Sequence, residues 1–473
     1  MKTLNKLRWS GACLGLCLAS VLFWSRSAAA EVKLVETDGW TFSINGRVNA
    51  FLSGGRGDDF PHPTPGQTHL VMGADGRAAN GVPDVGWPSS GQEDMNNKYA
   101  AIRVRSGVLP NVLGFGLANQ VSDTLVVKAY VELWSTIETL GRDKWAPIIA
   151  EARVGYFTAS GPWGTATAGR MLGWLGRMSY DIDLAYGHGY GVGLPCTDSL
   201  GPACGHIGTG ALFPGYSAGI AYSTPVFQGV QLNVGMYDPA VVSGTGDPGD
   251  WTHAPYPRGE GALTVTRPFG ASSSFKLGVE GLYQPIARVV TTTDPTTMAV
   301  TSKNATANIW GVSGGGRVEV GPVRLGASGF RGHGTGIGNV LQTSFSLSDN
   351  DGAATGPSGL TYALRTFTGF YGQGAVVIGK LQIGGGYGMA MIDQLAADKV
   401  NSNLSVLHTQ TGISAEVYYY LADSVVFGLD YFHFKASWYG APILDANNQA
   451  TGTKLAGELQ NLDFVNLGVT YHW

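Results

Sequence analysis

Several basic side chains in this sequence stand on segments composed mainly of uncharged residues. Arg47 lies in W-T-F-S-I-N-G-R-V-N-A-F-L (40–52), Arg103 and Arg105 flank a single valine, and Lys128 and Arg153 have similar settings. Apolar and polar residues alternate there with the period of a β-strand, which places all five basic groups on the polar face. Further on, Tyr180-Asp181-Ile182-Asp183-Leu184 carries two acids two apart. Basic groups on neighbouring strands of one face lie close enough to cluster. Facing Asp181 and Asp183, such a cluster would set separated charges across a gap. The alternative is local neutralisation, for which Glu132 and Glu151 are available on adjacent strands.

No catalytic grouping accompanies these charges. His333, His408 and His433 are scattered, and no Ser-His-Asp order forms a recognisable motif. The glycine runs 314–316 and 384–386 lie inside strand-like segments. That argues against phosphate binding and for aromatic packing or bending of a sheet. Asp247, Asp250, Asp349 and Asp351 read as solvated loop charge. No cofactor is expected, and no metal: Cys196 and Cys204, with His188 and His206 nearby, lack the tight spacing of a structural zinc site.

Residues 1–30 read as an export signal. Lys2, Lys6 and Arg8 precede an apolar run over 11–23, and Ala28-Ala29-Ala30 offers a cleavage site before Glu31. The run is too short to span a bilayer comfortably, and Leu16 before Cys17 argues against lipidation. Removing Lys2, Lys6, Arg8 and Arg26 leaves 26 basic against 34 acidic residues, a net charge of −8, which does not suggest a nucleic-acid binder. Cys13 and Cys17 leave with the signal, so Cys196 and Cys204 are expected to form one disulfide across a short loop in an oxidising compartment.

Glycine at 71 of 473 residues and only 14% charge suit either a large soluble all-β domain or a membrane barrel. Alternation predicts strands at 40–52, 98–109, 123–137, 148–158, 164–171, 216–226, 229–238, 258–268, 273–287, 307–320, 322–331, 361–378, 380–393, 408–421, 424–438 and 459–473. Short connections (159–163, 227–228, 269–272, 321, 379, 422–423 and a longer one near 110–122) alternate with long ones (53–97, 138–147, 172–215, 239–257, 288–306, 332–360, 394–407 and 439–458). The expected fold is therefore all-β: one transmembrane antiparallel up-and-down barrel of about sixteen strands over 31–473, with short periplasmic turns and long extracellular loops. Its polar face, rich in Gly, Ser, Thr, Asn and single Arg, suits a confined aqueous lumen. Tyr156, Phe157, Trp163, Tyr418 to Tyr420, Tyr431 and Phe432 gather at strand ends as an interfacial girdle would. Arg170 fits less well. Alternation groups it with Ala166 and Ala168 on the lipid side, where an arginine at the membrane centre costs roughly 2–4 kcal/mol. It reaches the lumen only if the strand ends there and the chain turns inward, which Gly173 permits.

The chain stops on a strand. Val465, Leu467, Val469, Tyr471 and Trp473 share one face, with Gly468, Thr470 and His472 on the other. A closed barrel must pair this strand with 40–52, because an open edge in lipid leaves backbone groups unsatisfied. The terminal aromatic resembles that of outer-membrane porins, and E-A-R-V-G-Y-F-T-A-S-G-P-W-G-T-A-T-A-G-R (151–170) is similar to paired strands four and five of the trimeric general porins of Gram-negative bacteria. The resemblance implies that Gly468, Tyr471 and Trp473 are read by the barrel-assembly machinery and that 172–215 is a third loop folded into the lumen. It further implies that Arg47, Arg103, Arg105, Lys128, Arg153 and Arg170 face Asp181 and Asp183 at a constriction. The partners implied are outer-membrane lipid and lipopolysaccharide, two further copies in a homotrimer, and small hydrophilic solutes.

The function expected is thus a water-filled channel for passive diffusion in the outer membrane of a Gram-negative bacterium, not an enzyme. A channel selective for a sugar, an organic acid or an anion is the alternative; Tyr130 and Trp134 alternate on the polar face, but no inward aromatic slide is evident. An outer-membrane hydrolase lacks its catalytic group. A structural or adhesive barrel would need an added domain, for which 31–39 leaves no room.

Overall fold

The computed structural model describes residues 31–58, 68–70, 98–137, 151–188, 190–195, 203–240, 254, 256–293, 296–338, 340, 353–354, 363–395, 399, 404–440, 442–444, 450–454 and 459–473. The wall consists of β1 (Trp40–Asp58), β2 (Lys98–Arg105 continued by Asn111–Ser122), β3 (Leu125–Ser135), β4 (Glu151–Gly161), β5 (Gly164–Leu172) and β6 (Tyr216–Ser223). It continues as β7 (Val230–Tyr237), β8 (Arg258–Gly270), β9 (Ser273–Thr293), β10 (Val300–Val320) and β11 (Val323–His333). The last five strands are β12 (Thr366–Ile378), β13 (Leu381–Ile392), β14 (Leu404–Ala422), β15 (Val425–Trp438) and β16 (Leu459–His472). Each pairs antiparallel with its neighbours, and β16 closes on β1 from Arg47↔His472 to Gly57↔Leu462. The result is a closed barrel of sixteen strands.

Alternation makes the wall two-sided. On β1, Val48 and Leu52 are about half exposed, at 51% and 52%, while the alternating Asn49, Phe51 and Ser53 are buried inside. Leu429, Val465 and Leu467 continue the same outward row across the seam. So many large apolar side chains facing outward would be an aggregation surface in water; around a barrel they form the band that meets lipid. Of the aromatics expected at the girdle, Phe157, Trp163, Tyr419 and Tyr431 do face outward, at 38–53% exposure. Tyr418 and Phe432 are buried on the inner face, and Tyr156 and Tyr420 also point inward and pack on the internal clusters. In a run of adjacent aromatics, the period of two must send every second one to the lumen.

Two wall features depart from the pattern read in the sequence. Residues 110–122 are not a connection. Asn111–Ser122 is the second half of β2, paired with β1 on one side and β3 on the other, and the turn is Asp123 and Thr124. Its inner face carries Gly114 and Gly116 opposite outward Leu113, Phe115 and Leu117, so it lacks the polar residues that mark a lumen strand. At the other end, Val32–Thr37 pairs back on β1 through Asp38 and Gly39, both with positive φ (47° and 80°). That is the geometry of a tight primed hairpin turn. The arm occupies the edge of β1 left free beyond the end of β16.

Candidate pore constriction

Between β5 and β6 the chain leaves the wall and enters the barrel. This loop, 173–215, is closed at its neck by Gly173 N–H donating to the Gly215 carbonyl at 2.9 Å. Among its described residues it carries a short α-helix, α1 (Arg177–Ile182), followed by a 3-10 turn at Tyr186–His188. Wall carboxylates hold its backbone. Glu260 accepts the N–H groups of Trp174 (2.5 Å) and Leu175 (3.1 Å). Glu280 accepts those of Gly176 (2.9 Å) and Met178 (2.6 Å), together with the Ser313 hydroxyl. These N–H groups have no partner within a helix, so carboxylates at the start of α1 satisfy donors that would otherwise be buried and orphaned. The amides of Gln373 and Gln382 donate to the carbonyls of Ile182 and Leu184 at 2.8 and 2.9 Å. At the far reach of the loop, Asp430 accepts from Val192 (3.1 Å), Gly193 (3.0 Å) and Asn466 (2.7 Å).

Glycine makes room for this docking. A Cβ on Gly278 would stand 2.1 Å from Met178, and one on Gly388 would stand 2.1 Å from the Thr209 carbonyl. On the loop's return, Cys204 is buried and disulfide-bonded, while Cys196 lies outside the described residues. His206 packs against Tyr186, Tyr371 and Phe432 with ring centroids 4.4–5.5 Å apart, and burial lowers its pKa to about 3, so the imidazole is a neutral packing group.

The basic residues do not form one cluster. Arg47 faces the lumen from β1, donating Nε to the Pro110 carbonyl at 3.2 Å, with Glu132, Tyr180, Tyr190 and Tyr216 around it. Arg103 and Arg105 pair with Ser53 and Phe51 in the ladder, four to six residues along β1 and so about 13–20 Å towards the extracellular side. Lys128 lies the other way, in an ion pair with Glu31 (2.8 Å) and 5.3 Å over the Tyr130 ring. Arg153 reaches the lumen through a bulge in β4 that shifts the register between Glu132 and Leu133; it pairs with Glu151 at 2.6 Å and lies 5.1 Å from the Trp134 ring.

Two expected members are not at the constriction. Arg170 sits on the outer face with Ala166 and Ala168, because β5 continues to Leu172 instead of ending. Its side chain, 47% exposed, donates Nε to the Arg153 carbonyl at 3.0 Å and approaches Glu151 at 3.7 Å, satisfying the backbone of the bulge. Asp183 is buried inside the loop and accepts the N–H groups of Ala185 (2.9 Å) and Tyr186 (3.0 Å), so it shapes a turn and does not face solute. Asp181 does reach the wall, in an ion pair with Lys276.

Burial raises the Asp183 carboxyl from 3.8 to about 6, outweighing the backbone N–H groups that favour its charge. The folded chain then holds this proton more tightly than the unfolded one, so stability falls as pH rises from about 4 to 6, and the penalty is complete above that. Asp183→Asn keeps an acceptor but removes the titration. Its thermal midpoint is expected to lack the component of decline between pH 4 and 6 seen in the parent; equal slopes would exclude Asp183 as the source.

Sequence reasoning missed a basic row on the opposite wall. Lys276 and Arg317 are direct cross-strand neighbours on β9 and β10, and Arg324 follows on β11, donating to Gln382 at 2.9 Å. The same alternation places all three inward, since Lys276 shares a face with Gly278 and Glu280. The loop staples Glu260, Glu280 and Asp430 were also missed; their role depends on a partner far away in sequence.

A model of the family described as Gram-negative porin matches residues 16–437. Among solved structures, the outer membrane channel DcaP of Acinetobacter baumannii aligns with a TM-score of 0.58 at 14% identity, covering 93% of this chain and 100% of that one. An anion-selective porin from Comamonas acidovorans aligns with a TM-score of 0.52 at 14% identity, covering 92% and 100%. No curated protein matches. The protein is accordingly an outer-membrane channel for passive diffusion and not an enzyme. A match over most of its length, together with a closed barrel of sixteen strands around an inward loop, shows that this chain belongs to the Gram-negative porin family.

Proposed function

We propose that the channel works as a homotrimer and that its constriction, formed by the 173–215 loop and the facing wall, favours small anions. One asymmetry carries this reading. Among the described residues, Arg47, Arg103 and Arg324 face the lumen with no carboxylate in ion-pair distance, while Glu260, Glu280, Asp183 and Asp430 are buried. Those four carboxylates accept loop N–H groups, so their charge is screened from a passing ion. Local charge at the narrow zone, and not the net charge of the chain, sets selectivity. Export by residues 1–30, docking of lipopolysaccharide and membrane lipid on the outer apolar band, and recognition of Gly468, Tyr471 and Trp473 by the barrel-assembly machinery belong to the same proposal.

The reversal potential in a salt gradient tests it. The wild type is expected to show anion preference, and Arg47→Ser with Arg324→Ser should move the potential towards cations. A cation-preferring wild type would refute the reading.

A second reading, selection of a specific solute, draws on the lumen-side aromatics. Tyr130 and Tyr156 lie 5.6 Å apart, and Trp134, Tyr216, Phe213 and Tyr180 follow one another at 5.7–6.2 Å. Block of the ion current by a sugar or aromatic acid at micromolar concentration would favour it.

A further inference from the structure

β2 is interrupted where it should be most regular. Between the pairs Phe51↔Arg105 and Arg47↔Val112, β1 contributes the three residues 48–50 and β2 the six residues 106–111. The surplus of three leaves the wall plane on the lumen side. Ser106 and Leu109 are buried at 0% and 4%, and Leu109 packs with Tyr130, Trp134 and Tyr216.

One side chain replaces the missing ladder. Asn49, itself 2% exposed, accepts the Gly107 N–H on Oδ1 at 2.8 Å and donates Nδ2 to the Leu109 carbonyl at 2.7 Å. Its own N–H donates to Asn111 Oδ1 at 2.8 Å. A side-chain amide presents an N–H donor and a carbonyl acceptor on separate atoms, as the peptide group does, so it can stand in for a strand's backbone. The bulge held this way makes two contacts that matter to a solute. Val108 N–H donates to the Gly191 carbonyl at 3.1 Å, joining the wall to the far reach of the inward loop. The Pro110 carbonyl accepts Arg47 Nε, fixing where that cation stands.

We propose that the 106–110 bulge is a second constriction element, borne by the wall, and that Asn49 is its positioning residue. The loop narrows the lumen from β8 to β16 and the bulge narrows it from β2. Asn49 thereby sets both the free cross-section and the placement of Arg47. The conductance part rests only on the channel function; the selectivity part rests also on the anion preference proposed above.

Two variants test this. Asn49→Ala removes both side-chain bonds to the bulge, and deletion of 108–110 removes the surplus so that β2 can pair without interruption. Both are expected to fold to the heat-modifiable barrel and to raise single-channel conductance by roughly 1.5-fold or more. Both should also move the reversal potential in the direction produced by Arg47→Ser. Wild-type conductance in folded Asn49→Ala would overturn the proposal, whether or not the deletion folds. If Arg47→Ser shifts the potential while Asn49→Ala changes neither quantity, the anion reading stands and the bulge has no part in it.

Discussion

Glu280→Ala is expected to open the channel. The variant removes the acceptor for two loop N–H groups and for the Ser313 hydroxyl. Hydrogen bonds to a charged group are worth roughly 1.5–3 kcal/mol each, and α1 is too short to hold itself in place. Without Glu280 the start of the loop keeps Glu260, the Ser179–Ser328 hydroxyl contact and the Asp181–Lys276 pair but loses the acceptor at the head of α1, so it should leave the wall part of the time. Single-channel conductance should rise roughly 1.5- to 2-fold, with added open-channel noise, and liposomes carrying the variant should admit larger neutral solutes. Glu280→Gln keeps one carbonyl acceptor and should stay near the parent value. Glu260 is the poorer test, because its carboxylate also neutralises Arg258 at 2.7 Å, and removing it would leave a buried guanidinium without that partner. Parent-like conductance, noise and solute cutoff in Glu280→Ala would show that the remaining contacts alone hold the loop.

Gly46→Val should prevent the barrel from closing properly. Gly46 and Trp473 exchange backbone hydrogen bonds of 2.9 and 3.0 Å, the last pair of the seam. The Trp473 indole, stacked on Tyr471 with centroids 5.6 Å apart, lies across Gly46 so closely that a Cβ there would meet the ring at 2.3 Å. A valine must displace the indole, and with it the terminal pair, exposing backbone polar groups where no water can satisfy them. Each such group costs several kcal/mol in lipid. The folded, heat-modifiable fraction is expected to fall by at least an order of magnitude on the scale of that cost. A double-mutant cycle separates clash from general damage: once Trp473→Ala has removed the ring, Gly46→Val should cost little more. Strictly additive losses would mean that the ring and Gly46 do not interact.

These two cases mark the boundary between local and distant information. That Trp473 ends a strand, that this strand must meet 40–52, and that Arg47 shares a wall with His472 all follow from period-two alternation and closure; the exact register, Arg47 opposite His472, comes from the ladder. Alternation also assigns Arg103, Arg105 and Lys128 to the inner face, because each lies in an uninterrupted stretch of strand. It does not reveal a bulge. Arg153 is inward only because β4 carries one, and the bulges of β2 turn a glycine-faced strand into what reads as a connection. A bulge is chosen by what packs on either side of it, here Asn49, the inward loop and Arg170.

The sequence by itself thus determined the barrel, its strand number, its outward apolar band and the presence of single charges on the lumen side, since each is a property of neighbours along one strand. Which charges meet was decided only in three dimensions. Asp183 and Asp181 are two residues apart and look alike in the chain, yet one is folded under the loop to bind N–H groups and the other reaches Lys276 across 95 positions. Their roles depend on how a long loop docks on eight or more strands. Docking of that kind depends on glycine clearances and buried hydrogen-bond partners contributed from remote segments, which no local pattern encodes.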